Sequence, residues 1–131
     1  MGIVTTSVTN GIRVSVETFY EGRFRAKNGP YYFFSYHIVV ENMSQDTVQL
    51  MGRHWFIYDT GEGPSEVEGD GVVGIQPVIR PGERHSYRSG CQLRAGIGTM
   101  VGTFRMVRTN DSHTFIVSIP RMEFFATPRL N

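Results

Sequence analysis

Apolar and polar residues alternate with a period of two along almost the whole chain, which is the signature of strands that bury one face. Ile3 to Val8 and Ile12 to Glu17 flank Asn10-Gly11. Asn-Gly supplies the positive φ angles of a type I′ turn, so a hairpin is predicted there. In Tyr31 to Asn42, Phe34, Tyr36, Ile38 and Val40 share one face, while Ser35, His37 and Glu41 point away. Asn42 to Thr47 is polar turn material, and Val48 to Asp59 resumes the extended pattern with a bulge or kink expected at Gly52. Arg53, Trp55 and Ile57 share one parity, which makes Trp55 a core anchor. His54, Phe56 and Tyr58 share the other, as either a second core layer or an interaction surface.

Beyond Asp59, Thr60 to Ser65 reads as a loop by composition, and Val78-Ile79-Arg80 runs into a Pro81-Gly82 turn. Arg84 to Cys91 is a further strand, and Gln92 to Thr99 is irregular. Met100 to Arg108 and Thr114 to Ile119 pair through Asn110-Asp111-Ser112. Pro120 sets off a last strand, Met122 to Ala126, which Pro128 ends. Seven to nine short strands joined by turn chemistry predict an all-β fold. The expected form is one antiparallel β-sandwich of immunoglobulin or fibronectin type III architecture, spanning residues 1–131 as a single domain.

Composition narrows the function classes. A chain of 131 residues can bury a core without metals or disulfides, and a net charge of +1 draws it to neither nucleic acid nor an anionic membrane. Arg23, Arg25 and Lys27 beside Phe24 and Tyr31 have the makings of a base-stacking strip, but at this net charge they read as a solvated hairpin tip. Lys27 is the only lysine; the other basic residues are arginines, suited to planar pairing with carboxylates or phosphates. Cys91 stands alone, which excludes an intramolecular disulfide and a multi-cysteine metal site. The start lacks a basic and an apolar signal region; Met1-Gly2 with Thr6 matches myristoylation spacing, without a second membrane signal. A soluble cytoplasmic protein without membrane insertion is expected, and its sheet edges allow a homodimer.

One segment conflicts with the strand pattern. Gly69-Asp70-Gly71-Val72-Val73-Gly74 spells G-x-G-x-x-G, which binds dinucleotides only between a strand and a helix. Here Gln76-Pro77 and Pro81-Gly82 follow, so no helix N-terminus is available for a phosphate. The glycines are expected to shape a crossover between sheets, with an anion-binding nest as the alternative.

Val48-Gln49-Leu50, Arg53-His54-Trp55, the glycine segment through Gln76-Pro77, Pro81-Gly82-Glu83, Tyr87-x-Ser89-Gly90, Gly98-x-Met100-x-Gly102 and Ile119-Pro120 follow in an order that closely resembles the ApaG family. The resemblance implies a fibronectin-type sandwich and, in bacteria, an association with cobalt resistance and magnesium efflux. Similar eukaryotic domains, in an F-box protein and a DNA-polymerase-interacting protein, look like partner-recognition modules.

No catalytic motif is present, and the four histidines lack ligand spacing. Glu62, Glu66, Glu68 and Asp70 form an acidic loop without an EF-hand pattern. The expectation is a non-enzymatic module that binds a protein partner, with no cofactor and no resident metal. The candidate surface joins Arg53 and His54 to Glu66, Glu68, Gly69, Asp70, Gly71, Gly74 and Gln76, with Asp59 as a partner for Arg53. The alternative is a phosphate- or nucleotide-binding module, in the extreme a phosphohydrolase, that uses Gly69 to Gly74.

Overall fold

Each stretch of alternation becomes a strand. The computed structural model describes residues 3–126; the Met1-Gly2 start and Pro128 lie outside that range. The strands are β1 (Thr5–Thr9), β2 (Ile12–Ala26), β3 (Gly29–Asn42), β4 (Val48–Asp59) and β5 (Gly63–Asp70), then β6 (Val78–Ile79), β7 (Arg84–Leu93), β8 (Ile97–Arg108) and β9 (His113–Phe125). All pairing is antiparallel. One sheet has the order β1-β2-β3-β7, and the other β5-β4-β8-β9 with β6 also on β4. The result is the expected two-sheet β-sandwich.

The core lies where the inward faces meet. Ile12, Val14, Phe34, Ile38 and Val40 of the first sheet oppose Leu50, Phe104, Met106, Val117 and Phe124 of the second, all at most 1% exposed. Such burial removes apolar area from water at about 25 cal/mol per Å², which drives the two sheets together. On one flank the sheets are stitched by hydroxyls. Ser7 Oγ donates to the Ser118 carbonyl at 3.1 Å, Thr9 Oγ1 accepts from the Ser118 N–H at 3.2 Å, and Thr18 Oγ1 donates to the Glu123 carbonyl at 3.3 Å.

Local chemistry behaves as the residues dictate at one turn and one bulge. Asn10 and Gly11 take φ of 49° and 79°, which closes the β1–β2 hairpin. The register of β4 against β8 shifts between Leu50 and Gly52, the bulge expected at Gly52.

Three expectations are corrected. The acidic residues Glu66, Glu68 and Asp70 belong to a strand, β5, because β4 offers it a free edge; proline and glycine at Gly63-Pro64 are tolerated there since β5 is itself an edge. Pro120 does not divide β9, which absorbs it in a register shift opposite Met100 and Gly102. The glycine segment does not cross between sheets. It carries the chain from β5 to β6, both partners of β4, and the crossing to the first sheet falls at Arg80-Pro81-Gly82-Glu83.

Candidate functional site

The bulge in β4 decides which way each candidate points. Leu50 and Arg53 pair with the inward-facing Met106 and Phe104, whereas Gly52 pairs with the outward-facing Arg105. One extra residue at Met51 therefore turns Arg53 to the inside of the sandwich and His54 to the outside. Two residues expected to share a surface lie on opposite faces of one sheet.

Inside, Arg53 Nη1 donates to the carbonyls of Asp70 at 3.0 Å and Gly71 at 3.1 Å. Its guanidinium lies against Gly69, where an added Cβ would sit 2.9 Å from Nη1. Arg53 thus pins the end of β5 rather than pairing with Asp59. Asp59 instead is 5% exposed and collects backbone donors: the N–H of Gly61 at 2.9 Å, of Arg94 at 2.6 Å and of Ala95 at 3.2 Å. It ties the β4–β5 turn to the β7–β8 turn, a structural duty. Asn42 is a second buried hub, bonded to the carbonyls of Asp46 and Ile79 and to Ser44. Its place after an apolar run made it look like turn material.

The glycine segment uses its own donors. Gly71 N–H bonds to the Met51 carbonyl, and Val72 and Ile75 exchange N–H···O bonds of 2.8 and 3.1 Å. Between them Val73 and Gly74 take φ of 45° and 81°, a two-residue turn of type I′ form. At Gly71, φ is 65° and an added Cβ would collide with the Ile75 carbonyl. Gln76 closes the unit from below: its Nε2 donates to the Met51 carbonyl at 2.9 Å, and Gln49 Nε2 donates to the Gln76 carbonyl at 3.0 Å. The N–H groups of Gly71, Val72 and Ile75 are therefore committed within the protein.

Val73 carries strain at this turn. It is β-branched, 62% exposed and held at positive φ, a conformation that costs about 1–3 kcal/mol for such a residue. Replacing it with asparagine creates the favoured Asn-Gly turn. Val73→Asn is expected to raise the midpoint of thermal unfolding by about 3–5 °C, following about 1 kcal/mol of relief. Calorimetry checks this, and an unchanged or lower midpoint refutes the strain.

Outside, His54 sits between two carboxylates. Its Nε2 is hydrogen-bonded to Glu66, and its Nδ1 lies 3.6 Å from Glu68. Asp70 accepts from Arg105 at 3.3 Å, and that guanidinium lies over Gly52. Next along the same face come Phe56, Tyr58 and Val101, which are 49%, 52% and 40% exposed, with Phe56 opposite Val101 in the ladder. The face with His54 parity is therefore an exposed apolar strip rather than a second core layer. Sequence reasoning missed Val101 and Arg105, because their neighbours depend on a register that the bulge shifts.

Other titratable groups lie between the sheets. Burial, followed by the charge of Asp59, pushes the Cys91 thiol up to about 11, so it stays a neutral thiol at pH 7. Burial likewise raises Tyr36 and Tyr87 above the usual tyrosine value, with Arg53 acting in the opposite sense on both. Among the described residues, no group of three or more His, Cys, Asp or Glu could hold a metal ion. A cleft of about 610 Å³ opens elsewhere, at the β2–β9 seam, floored by Val16, Phe34 and Met122. None of the sequence candidates lines it.

Known proteins match most of this chain. The ApaG domain family model matches residues 23–108, and Protein ApaG of Thiobacillus denitrificans is 41% identical over 91% of this chain and 92% of its own. The chain belongs to the ApaG family. The X-ray structure of a structural genomics target, SoR45, is similar at a TM-score of 0.85 and 36% identity, covering 92% of this chain and 91% of that one. The crystal structure of a putative ApaA protein from Bordetella pertussis is similar at a TM-score of 0.79 and 38% identity, covering 91% and 95%. The ApaG match runs from the last residues of β2 to the end of β8 and so includes every candidate residue discussed above.

Proposed function

We propose that this ApaG-family chain is a non-enzymatic recognition module that docks a protein partner on the outer face of β5, β4 and β8. The observation that carries this reading is the exposed strip of Phe56, Tyr58 and Val101 beside His54, Glu66 and Glu68. Aromatic anchors rimmed by charge are the usual anatomy of a docking patch, and a sheet face holds them rigidly. The acidic rim suits a partner with an apolar anchor flanked by arginine or lysine. In this reading, the cytoplasmic link to cobalt resistance and magnesium efflux that the family resemblance implies runs through that partner.

Affinity purification tests it with the intact chain and with His54→Ala/Phe56→Ser, two surface changes expected to leave thermal unfolding within about 5 °C, since each surface substitution costs within about 0.5 kcal/mol. Loss of one or more captured proteins in the variant is expected. Identical captured sets would remove this face as the site.

A further inference from the structure

We propose that the free edge of β7 takes up an acidic, extended peptide segment of another protein as an added strand. This surface lies on the first sheet and stands independently of the docking face above.

β7 ends the order β1-β2-β3-β7, and among the described residues its ten residues pair only with β3. The other edges differ: β1 and β9 face each other across the Ser7, Thr9 and Ser118 contacts, and β5 is acidic. An edge strand offers a row of N–H and C=O groups that an extended chain can complete. On the outer side of that edge, Arg84 and Arg88 lie opposite Glu41 and His37, and both are exposed. Among the described residues neither forms an ion pair; Arg88 rests over the Phe19 ring at 5.4 Å. Two unpaired arginines four residues apart lie on the same side of a strand, about 14 Å from each other. They match acidic residues four positions apart on an added chain.

Charge on an edge also serves to prevent aggregation, so the arginines alone would say little. The inner side supplies the second observation. Among the described residues, His85 Nε2 and Tyr87 Oη are buried without a hydrogen-bond partner, although such groups cost free energy when left unpaired. They sit on the inward row of β7 with Ser89 and Cys91, and Arg53 acts electrostatically on Tyr87 from the facing sheet. A guarded edge does not need these groups. Both are enclosed in the free protein, so an added strand completes them only by shifting the inward row of β7 to admit a carboxylate or hydroxyl of its own.

The probe is a ten-residue capped peptide of alternating threonine and glutamate, titrated into the full chain and followed by amide NMR. The threonine–lysine peptide and a fully N-methylated threonine–glutamate peptide serve as controls. Expected are shifts concentrated on β7 with the glutamate peptide and none with either control. Arg84→Glu/Arg88→Glu is expected to weaken binding at least tenfold, and Tyr87→Phe several-fold, both without lowering the unfolding midpoint. Absence of binding at millimolar peptide, equal binding of either control, or shifts centred on β4 and β5 would overturn the proposal. Shifts on β7 that grow with protein concentration alone, and vanish in Glu66→Lys/Glu68→Lys, would also overturn it by making a second copy the occupant.

Discussion

Asp59→Ala is expected to lower stability by about 3–5 kcal/mol, since it strands three backbone donors at about 1–3 kcal/mol each with partial relief by water. The carboxylate collects the N–H groups of Gly61, Arg94 and Ala95 from two turns, and it is 5% exposed. Arg94 carries the same tie further, donating from Nη1 to the Asn28 carbonyl at 3.3 Å. Asp59→Asn is expected to rescue part of the loss, because an amide oxygen in the Oδ1 position keeps the Gly61 and Ala95 donors while the nitrogen faces the Arg94 N–H. Urea titration of both variants measures the loss against a total of about 5–15 kcal/mol for a domain. A partner-binding aspartate would behave in the opposite way, with stability intact and capture lost. That outcome would return Asp59 to the binding surface.

The second large effect lies at the seat of Trp55. The indole is 4% exposed, packs edge-on against Tyr36 at a centroid distance of 6.0 Å, and lies over Gly102 of β8. An added Cβ at Gly102 would overlap the indole and come within 2.5 Å of the His54 carbonyl. Trp55→Ala is expected to cost about 3–5 kcal/mol through the cavity it leaves. Gly102→Ala is expected to cost about 3 kcal/mol through overpacking. Combined, they should cost less than their sum, because the new methyl enters space that the indole has vacated. A double-mutant cycle by urea unfolding measures the coupling. Strict additivity, or a Gly102→Ala chain as stable as the parent, would show that the contact carries no energy.

The fold was legible where one residue's chemistry acts on its neighbours. Asn10-Gly11 can only turn cheaply at positive φ, and the alternation from Phe34 to Val40 can bury only one face. Gly52 marked its bulge for the same local reason. β5 was hidden because Gly63-Pro64 and a run of acids look like a loop until β4 presents an edge to pair with. Pro120 looked like a break because its cost depends on whether a neighbouring strand needs its missing N–H.

The candidate site divided along the same line. Residue types, the family resemblance and the order of the motifs are properties of the chain itself, so the sequence alone carried them to the ApaG family and to the β-sandwich. Register is a property of pairs. One bulged residue at Met51 sends Arg53 inward to hold Asp70 and Gly71, and His54 outward to Glu66 and Glu68. Asp59 became a buried tie, and Phe56 with Val101 an exposed strip, through contacts between strands far apart in the chain. Arg53, His54 and Asp59 were therefore readable as candidates, but their duties were decided only when β4 met β5, β7 and β8.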